Sequence, residues 1–170
     1  MEHARAYQIA MDAKRQLEPW CERIEIAGSL RRQKPQVKDI ELVCIPKRIG
    51  YGDLLQEHTN LVPVPQFSAV VNCWPKIRGE ATGKYTARIL PGGINLDLFI
   101  TTAESWGLIF AIRTGSADFS HKTLAVSWIK KGYHSSDGML VRGGIEYPVR
   151  EERELFDMIG LEWVEPKNRI

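Results

Sequence analysis

Two short apolar runs most constrain how this chain can fold. Asp39–Ile45 (DIELVCI) and Ile94–Ile100 (INLDLFI) are rich in Ile, Leu, Val and Phe, the residues that suit a buried pleated strand. Both also carry acid where a strand should be driest. Side chains alternate along a strand, so Asp39 and Glu41 share one face and Ile40 and Leu42 the other. Asp97 stands alone among apolar neighbours, a placement that costs both strand propensity and desolvation energy. If the two strands lie side by side, three carboxylates share one face and repel one another unless cations sit among them. Oxygen donors of this kind suit Mg²⁺ or Mn²⁺, which keep places for water and substrate phosphates. Two such ions can activate an attacking hydroxyl and stabilise a leaving pyrophosphate.

Basic residues and a Gly-Ser turn precede the first run, in AGSLRRQKPQVK. Gly28 lets backbone approach a phosphate, Ser29 adds a hydroxyl, and Arg31 and Arg32 can grip phosphate through bidentate guanidinium contacts. Metal-binding carboxylates and phosphate donors in one short segment describe nucleotidyl transfer from a nucleoside triphosphate.

The rest of the chain supports an α+β architecture, a mixed or antiparallel sheet with flanking helices. The spacing of Ala6, Tyr7, Ala10, Met11 and Leu17 predicts an amphipathic helix over 3–18. A strand is expected at 24–27, a short helix at 51–59, and strands at 68–79 and 84–90 joined by the hairpin signal GEATG. Helical pattern returns over 101–112. A second helix should start at a Ser116 cap with Phe119, Leu124, Ala125, Trp128 and Ile129 inward. A hairpin turning at Gly143-Gly144 and a helix over 151–159 complete the pattern. The change from sheet to helix near 101–105 suggests two lobes, 1–103 and 104–170.

Net charge is only +2, but it is uneven: residues 1–100 carry 14 Lys/Arg against 11 Asp/Glu, while 101–170 carry 9 against 10. The excess in the first part makes a polyanionic partner plausible, with Lys76, Arg78, Lys84 and Arg88 forming the second basic cluster. There is no run of 18 apolar residues and hence no membrane span. Cys21, Cys44 and Cys73, with no CxxC spacing, read as reduced thiols of a cytoplasmic protein.

GSLRR, followed by DIE and then NLDLF, resembles the nucleotidyltransferase superfamily. The similarity extends to DNA polymerase family X, the polymerase beta-like enzymes. WGLIFAIRTGSADFSHKTLAVSWIKKGY resembles that family's stretch around an aromatic-Thr-Gly-Ser turn, and EYPVREERELFDMIGLEWVEPKNR resembles its C-terminal ending. The resemblance covers nearly the whole chain and implies a catalytic palm at 1–103 and a nucleotide-selecting subdomain at 104–170. In extent it matches the shortest, viral-type members, without counterparts of the family's N-terminal lyase and helix-hairpin-helix domains. The cytoplasm would be the host's if a virus or phage encodes the chain.

By position, the resemblance implies Asp39, Glu41 and Asp97 as catalytic ligands of two Mg²⁺ or Mn²⁺ ions, with Asp97 the base or orienter for the primer 3′-hydroxyl. It places Gly28, Ser29, Arg32 and the Lys38 backbone at the triphosphate, Ile112, Arg113 and Gly115 at the sugar, and Ala117 and Ser120 near the incoming base. Lys76, Arg78, Lys84 and Arg88 are candidates for the DNA backbone. Two departures stand out: Glu41 replaces the family's usual second Asp, and Ile112-Arg113 replaces an aromatic pair. The expectation is a monomeric DNA polymerase that adds dNTPs to the primer of a primer-template or gapped DNA, filling short repair gaps with low processivity. Ile112-Arg113 leaves room for ribonucleotides, or for an RNA, protein or small-molecule acceptor. A non-catalytic DNA-binding module is the remaining alternative.

Overall fold

A computed structural model describes residues 1–51 and 60–170. The short helix expected at 51–59 falls almost wholly outside the described residues.

The two apolar runs become adjacent strands. β1 (Cys21–Ile26), β2 (Asp39–Pro46), β5 (Lys76–Arg78), β6 (Tyr85–Ile89) and β7 (Asn95–Ile100) form one sheet, ordered β1-β2-β7-β6-β5. β2 and β7 run parallel and the other pairs antiparallel, so the sheet is mixed. Ile40, Leu42 and Cys44 of β2 and Leu96, Leu98 and Ile100 of β7 project to one face. There they meet Ala6, Ala10, Ala13 and Leu17 of α1 (His3–Leu17) and Phe67 and Val71 of α3 (Pro65–Asn72). The 3.6-residue period of α1 thus buries one stripe against the sheet. α2 (Gly28–Arg31) is a single turn between β1 and β2, and β3 (Arg48–Tyr51) pairs with β4 (Asn60–Pro63) beside the sheet.

The opposite sheet face is apolar at one end only. Val43, Ile45 and Phe99 pack there with Ala27 and with Trp106 and Phe110 of α4 (Trp106–Thr114). α4 joins the lobes, for its other side places Leu108 and Ala111 in a second core with Leu124, Trp128, Leu155 and Phe156. That core is built from a π-helical turn (Phe119–Ala125), α5 (Val126–Lys130), the three-stranded sheet β8 (His134–Ser136), β9 (Met139–Arg142) and β10 (Ile145–Tyr147), and α6 (Glu152–Ile159). Gly107 allows α4 to touch α6, because a Cβ there would lie 2.4 Å from the Glu151 backbone.

Three expectations are corrected. Of the strand expected at 68–79, residues 68–72 belong instead to helix α3 and only Lys76–Arg78 is strand: Pro65 at the first turn presets a helical φ, and Phe67 and Val71 land on one face. The helix expected over 101–112 starts only at Trp106. Ile129 is 63 % exposed rather than inward, because the π turn before it rephases the helix. Ser116 does cap its helix, its hydroxyl accepting from the Phe119 N–H at 3.1 Å.

Candidate functional site

The parallel register sets Asp39 beside Asn95 and Glu41 beside Asp97. With the alternation of strand side chains, Asp39, Glu41 and Asp97 share the sheet face where the apolar packing stops, each half-buried. Burial, followed by the charge of Asp39, pushes the Glu41 carboxyl up to about 7; Asp97 adds to this, while Arg32 and Arg113 oppose it. Burial and like charge on this face thus both disfavour the ionised form of Glu41. The three carboxylates do not converge: among the described residues no group of three His, Cys, Asp or Glu side chains is drawn together tightly enough for a metal ion. In donor chemistry they fit a hard divalent cation, being oxygen ligands of one sign whose repulsion a cation would relieve.

The Gly-Ser turn closes over this row. Gly28 is buried with φ +60°, and the Glu41 carboxylate fills the space a side chain would need: a Cβ on Gly28 would fall 1.7 Å from its Oε2. The Ser29 hydroxyl and Arg32 Nε are buried without a hydrogen-bond partner. Burial lowers the Arg32 pKa against the pull of Glu41 and Asp39, and Arg32 Nη1 donates to the Thr114 carbonyl at 2.6 Å. Lys38 is exposed just ahead of β2.

Arg31, a phosphate-gripping candidate by sequence, is committed elsewhere. It donates to Thr114 Oγ1 at 2.6 Å and to both oxygens of Glu152 at 2.8 and 2.6 Å, and its guanidinium lies 3.9 Å over the Phe110 ring. Arg169, fully buried, pairs with the same Glu152. Together these ties fasten α2 to α4, α6 and the C-terminal segment.

A cavity of about 550 Å³ opens beside the carboxylate face, lined among others by Lys84, Tyr85, Phe99, Ser105 and Arg113. The Arg113 guanidinium lies 4.0 Å over the Phe99 ring, and its Nε is buried without a partner. Ile112 packs into the second core, and Gly115 ends α4. Ala117 is exposed. Ser120 is corrected as a base-contacting candidate: it is buried, and its hydroxyl donates to the Ile112 carbonyl at 2.8 Å, which turns it into the helix rather than the cleft.

The basic cluster of the β5–β6 hairpin divides. Arg88 is 2 % exposed and hydrogen-bonds Thr86, Asn72 and Gly79, so it cannot meet a DNA backbone. Alternation along β6 sends it to the face that α3 covers. Lys76 pairs with Glu80, and Lys84 pairs with Asp137 at 2.9 Å. Arg78 lies 4.8 Å over the Tyr85 ring. Tyr85, whose hydroxyl donates to Asp97, was not singled out from sequence. The available signal was the period of two that puts Tyr85 and Ala87 on one face of β6.

Residues 110–170 match the family model described as DNA polymerase beta thumb. Most of the C-terminal lobe is thus similar to a DNA polymerase beta thumb. That segment is what the chain shares with the polymerase beta-like enzymes of family X. No curated protein matches the chain.

Proposed function

We propose that the chain is a metal-dependent DNA polymerase that transfers a nucleotidyl group from a dNTP to a primer 3′-hydroxyl and releases pyrophosphate. One observation carries the reading: Asp39, Glu41 and Asp97 share a sheet face directly under the Gly28–Arg32 turn, whose Ser29 hydroxyl and Arg32 Nε are buried without partners. The thumb match supports it independently.

In this reading Ser29 and Arg32 donate to the triphosphate oxygens, charge-assisted bonds being the stronger kind. Gly28 keeps the turn against Glu41. Arg113 brings positive charge from the cleft side, and the Asp97 carboxylate accepts the proton of the primer hydroxyl or orients it. Asp39, Glu41 and Asp97 would hold two Mg²⁺ or Mn²⁺ ions, which supply Lewis-acid activation of the hydroxyl and charge neutralisation on the pyrophosphate. The 550 Å³ cavity gives a base and its strand a place beside these groups.

Extension of a labelled primer on gapped DNA tests this. The expected result is metal-dependent addition of dNTPs by the wild type and none by Asp97→Ala. Absence of extension on any DNA overturns the reading. Parallel reactions with rNTPs and with an RNA primer show whether Arg113 relaxes the choice of sugar or acceptor.

A further inference from the structure

Four side chains from four elements form a continuous stack along the cleft side of the carboxylate row. Arg78 of β5 lies 4.8 Å over the Tyr85 ring of β6. Tyr85 meets Phe99 of β7 with ring centroids 5.2 Å apart, and Arg113 of α4 lies 4.0 Å over Phe99. Cations thus cover both ends of an aromatic pair, an arrangement that the negative faces of the rings favour. Tyr85 and Phe99 are opposed partners in the antiparallel β6–β7 register, and Ala87 stands opposite Asp97. The small Ala87 leaves room for the Tyr85 ring to lie diagonally across to Asp97 on the same face.

The hydrogen bonds of the stack have a direction. Arg78 donates to the Tyr85 hydroxyl oxygen at 3.2 Å through Nη2, and Tyr85 passes its own hydrogen to Asp97 Oδ1. Among the described residues no other group hydrogen-bonds the Asp97 side chain. The tyrosine ring is pinned on both sides, so the donor it offers Asp97 is fixed in place. A carboxylate on a strand can rotate about its terminal torsion with little resistance. One fixed donor on Oδ1 removes that freedom and leaves Oδ2 for another partner.

We propose that Tyr85 is the positioning residue for Asp97: held by Arg78 and Phe99, it fixes the carboxylate in the rotation that presents its remaining lone pairs to a divalent cation. This rests on the proposed reading of Asp97 as a metal ligand. Groups that orient metal ligands from outside typically contribute 10–100-fold in metal affinity. Tyr85 would not touch substrate or reacting atoms. Its effect would pass through Asp97.

Mn²⁺ alone, titrated into the full chain and followed by electron paramagnetic resonance, reads this without any turnover. Tyr85→Phe keeps the ring and the stack and removes only the donor, and a matching thermal unfolding curve checks that the fold is intact. The expected result is Mn²⁺ affinity reduced about 10–100-fold in Tyr85→Phe, a smaller loss in Arg78→Gln, and no binding at the site in Asp97→Asn. Wild-type affinity in Tyr85→Phe together with lost binding in Asp97→Asn overturns the positioning role and leaves the metal reading standing. Unchanged binding in Asp97→Asn, or no uptake by the wild type, overturns the metal reading and the inference with it.

Discussion

Two sets of charged residues lie where the lobes meet, and they are built on opposite principles. In the first, Glu152 sits between Arg31 and Arg169, and all three are largely withdrawn from water. Every strong charge there has a partner with good geometry: Arg31 grips both carboxylate oxygens, and Thr114 takes a further hydrogen of Arg31. In the second, Asp39, Glu41 and Asp97 face one another across β2 and β7 with no ion pair within 4 Å among the described residues, only the more distant charges of Arg32 and Arg113 opposing them. A matched buried set holds structure together. An unmatched one stores unfavourable charge, which a ligand of opposite sign can relieve. Arg31 at one end of α2 belongs to the first set and Gly28 at the other packs on Glu41 of the second, so one short helix links the fastening of the C-terminal lobe to the proposed chemistry.

The sharpest way to break this contrast is to remove one charge from each set and compare signs. Glu152→Ala leaves Arg31 and Arg169 buried without their partner. The expected cost is about 3–5 kcal/mol of folding stability, the usual penalty for breaking a buried ion pair. Chemical denaturation should show it as a large fall in midpoint.

Glu41→Gln should act in the opposite direction. In the folded chain Glu41 keeps its proton up to about pH 7, whereas the ordinary carboxyl releases it near 4.5. Between these values the folded state binds more protons than the unfolded one, so the wild type loses stability as pH rises through that window. The accumulated loss above pH 7 is on the order of 3 kcal/mol, at about 1.4 kcal/mol per unit. Without added metal, Glu41→Gln should therefore be more stable than wild type at pH 8. The difference should fade as the pH is lowered towards 4.5. Equal stabilities at pH 8 would show that Glu41 carries no such burden.

The smallest effect belongs to a pair that spans the mouth of the cleft. Lys84 and Asp137 are both well exposed and joined at 2.9 Å. Exposed ion pairs contribute little, because water screens both charges. Lys84→Ala should leave the unfolding midpoint nearly where it is, and any shift should vanish in high salt. A loss as large as that from Glu152→Ala would mean that burial is not what separates the two kinds of pairing.

The carboxylate row was legible in the sequence because strand alternation is strict. Acidic residues inside β-branched runs can point only one way, and Asp97 among apolar neighbours advertised its strand. The mixed sheet and the terminal hairpin and helix followed from the same local signals. What failed was non-local or depended on phase. Val70 and Val71 argued for strand, but Pro65 started a helix. Ile129 followed the wrong period past a π turn. Arg88 looked like one more surface cation because its partners Asn72, in α3, and Gly79, in the loop after β5, lie outside its own strand. The Arg31–Glu152 pair joins residues 121 positions apart, which no local pattern reveals. Tyr85 was hidden for the same reason: its meaning lies in a diagonal contact between strands.

Whether the carboxylate face transfers nucleotides, as proposed, can be read directly. Single-turnover incorporation of one dNTP into a gapped primer, by wild type and by Asp97→Asn, tests it most directly. Asp97→Asn keeps the shape of the side chain and can still accept from Tyr85. The expected result is a loss of at least ~100-fold, the lower end of what a positioned proton acceptor contributes, with the unfolding curve unchanged. Incorporation by Asp97→Asn within a few-fold of the wild type would contradict it.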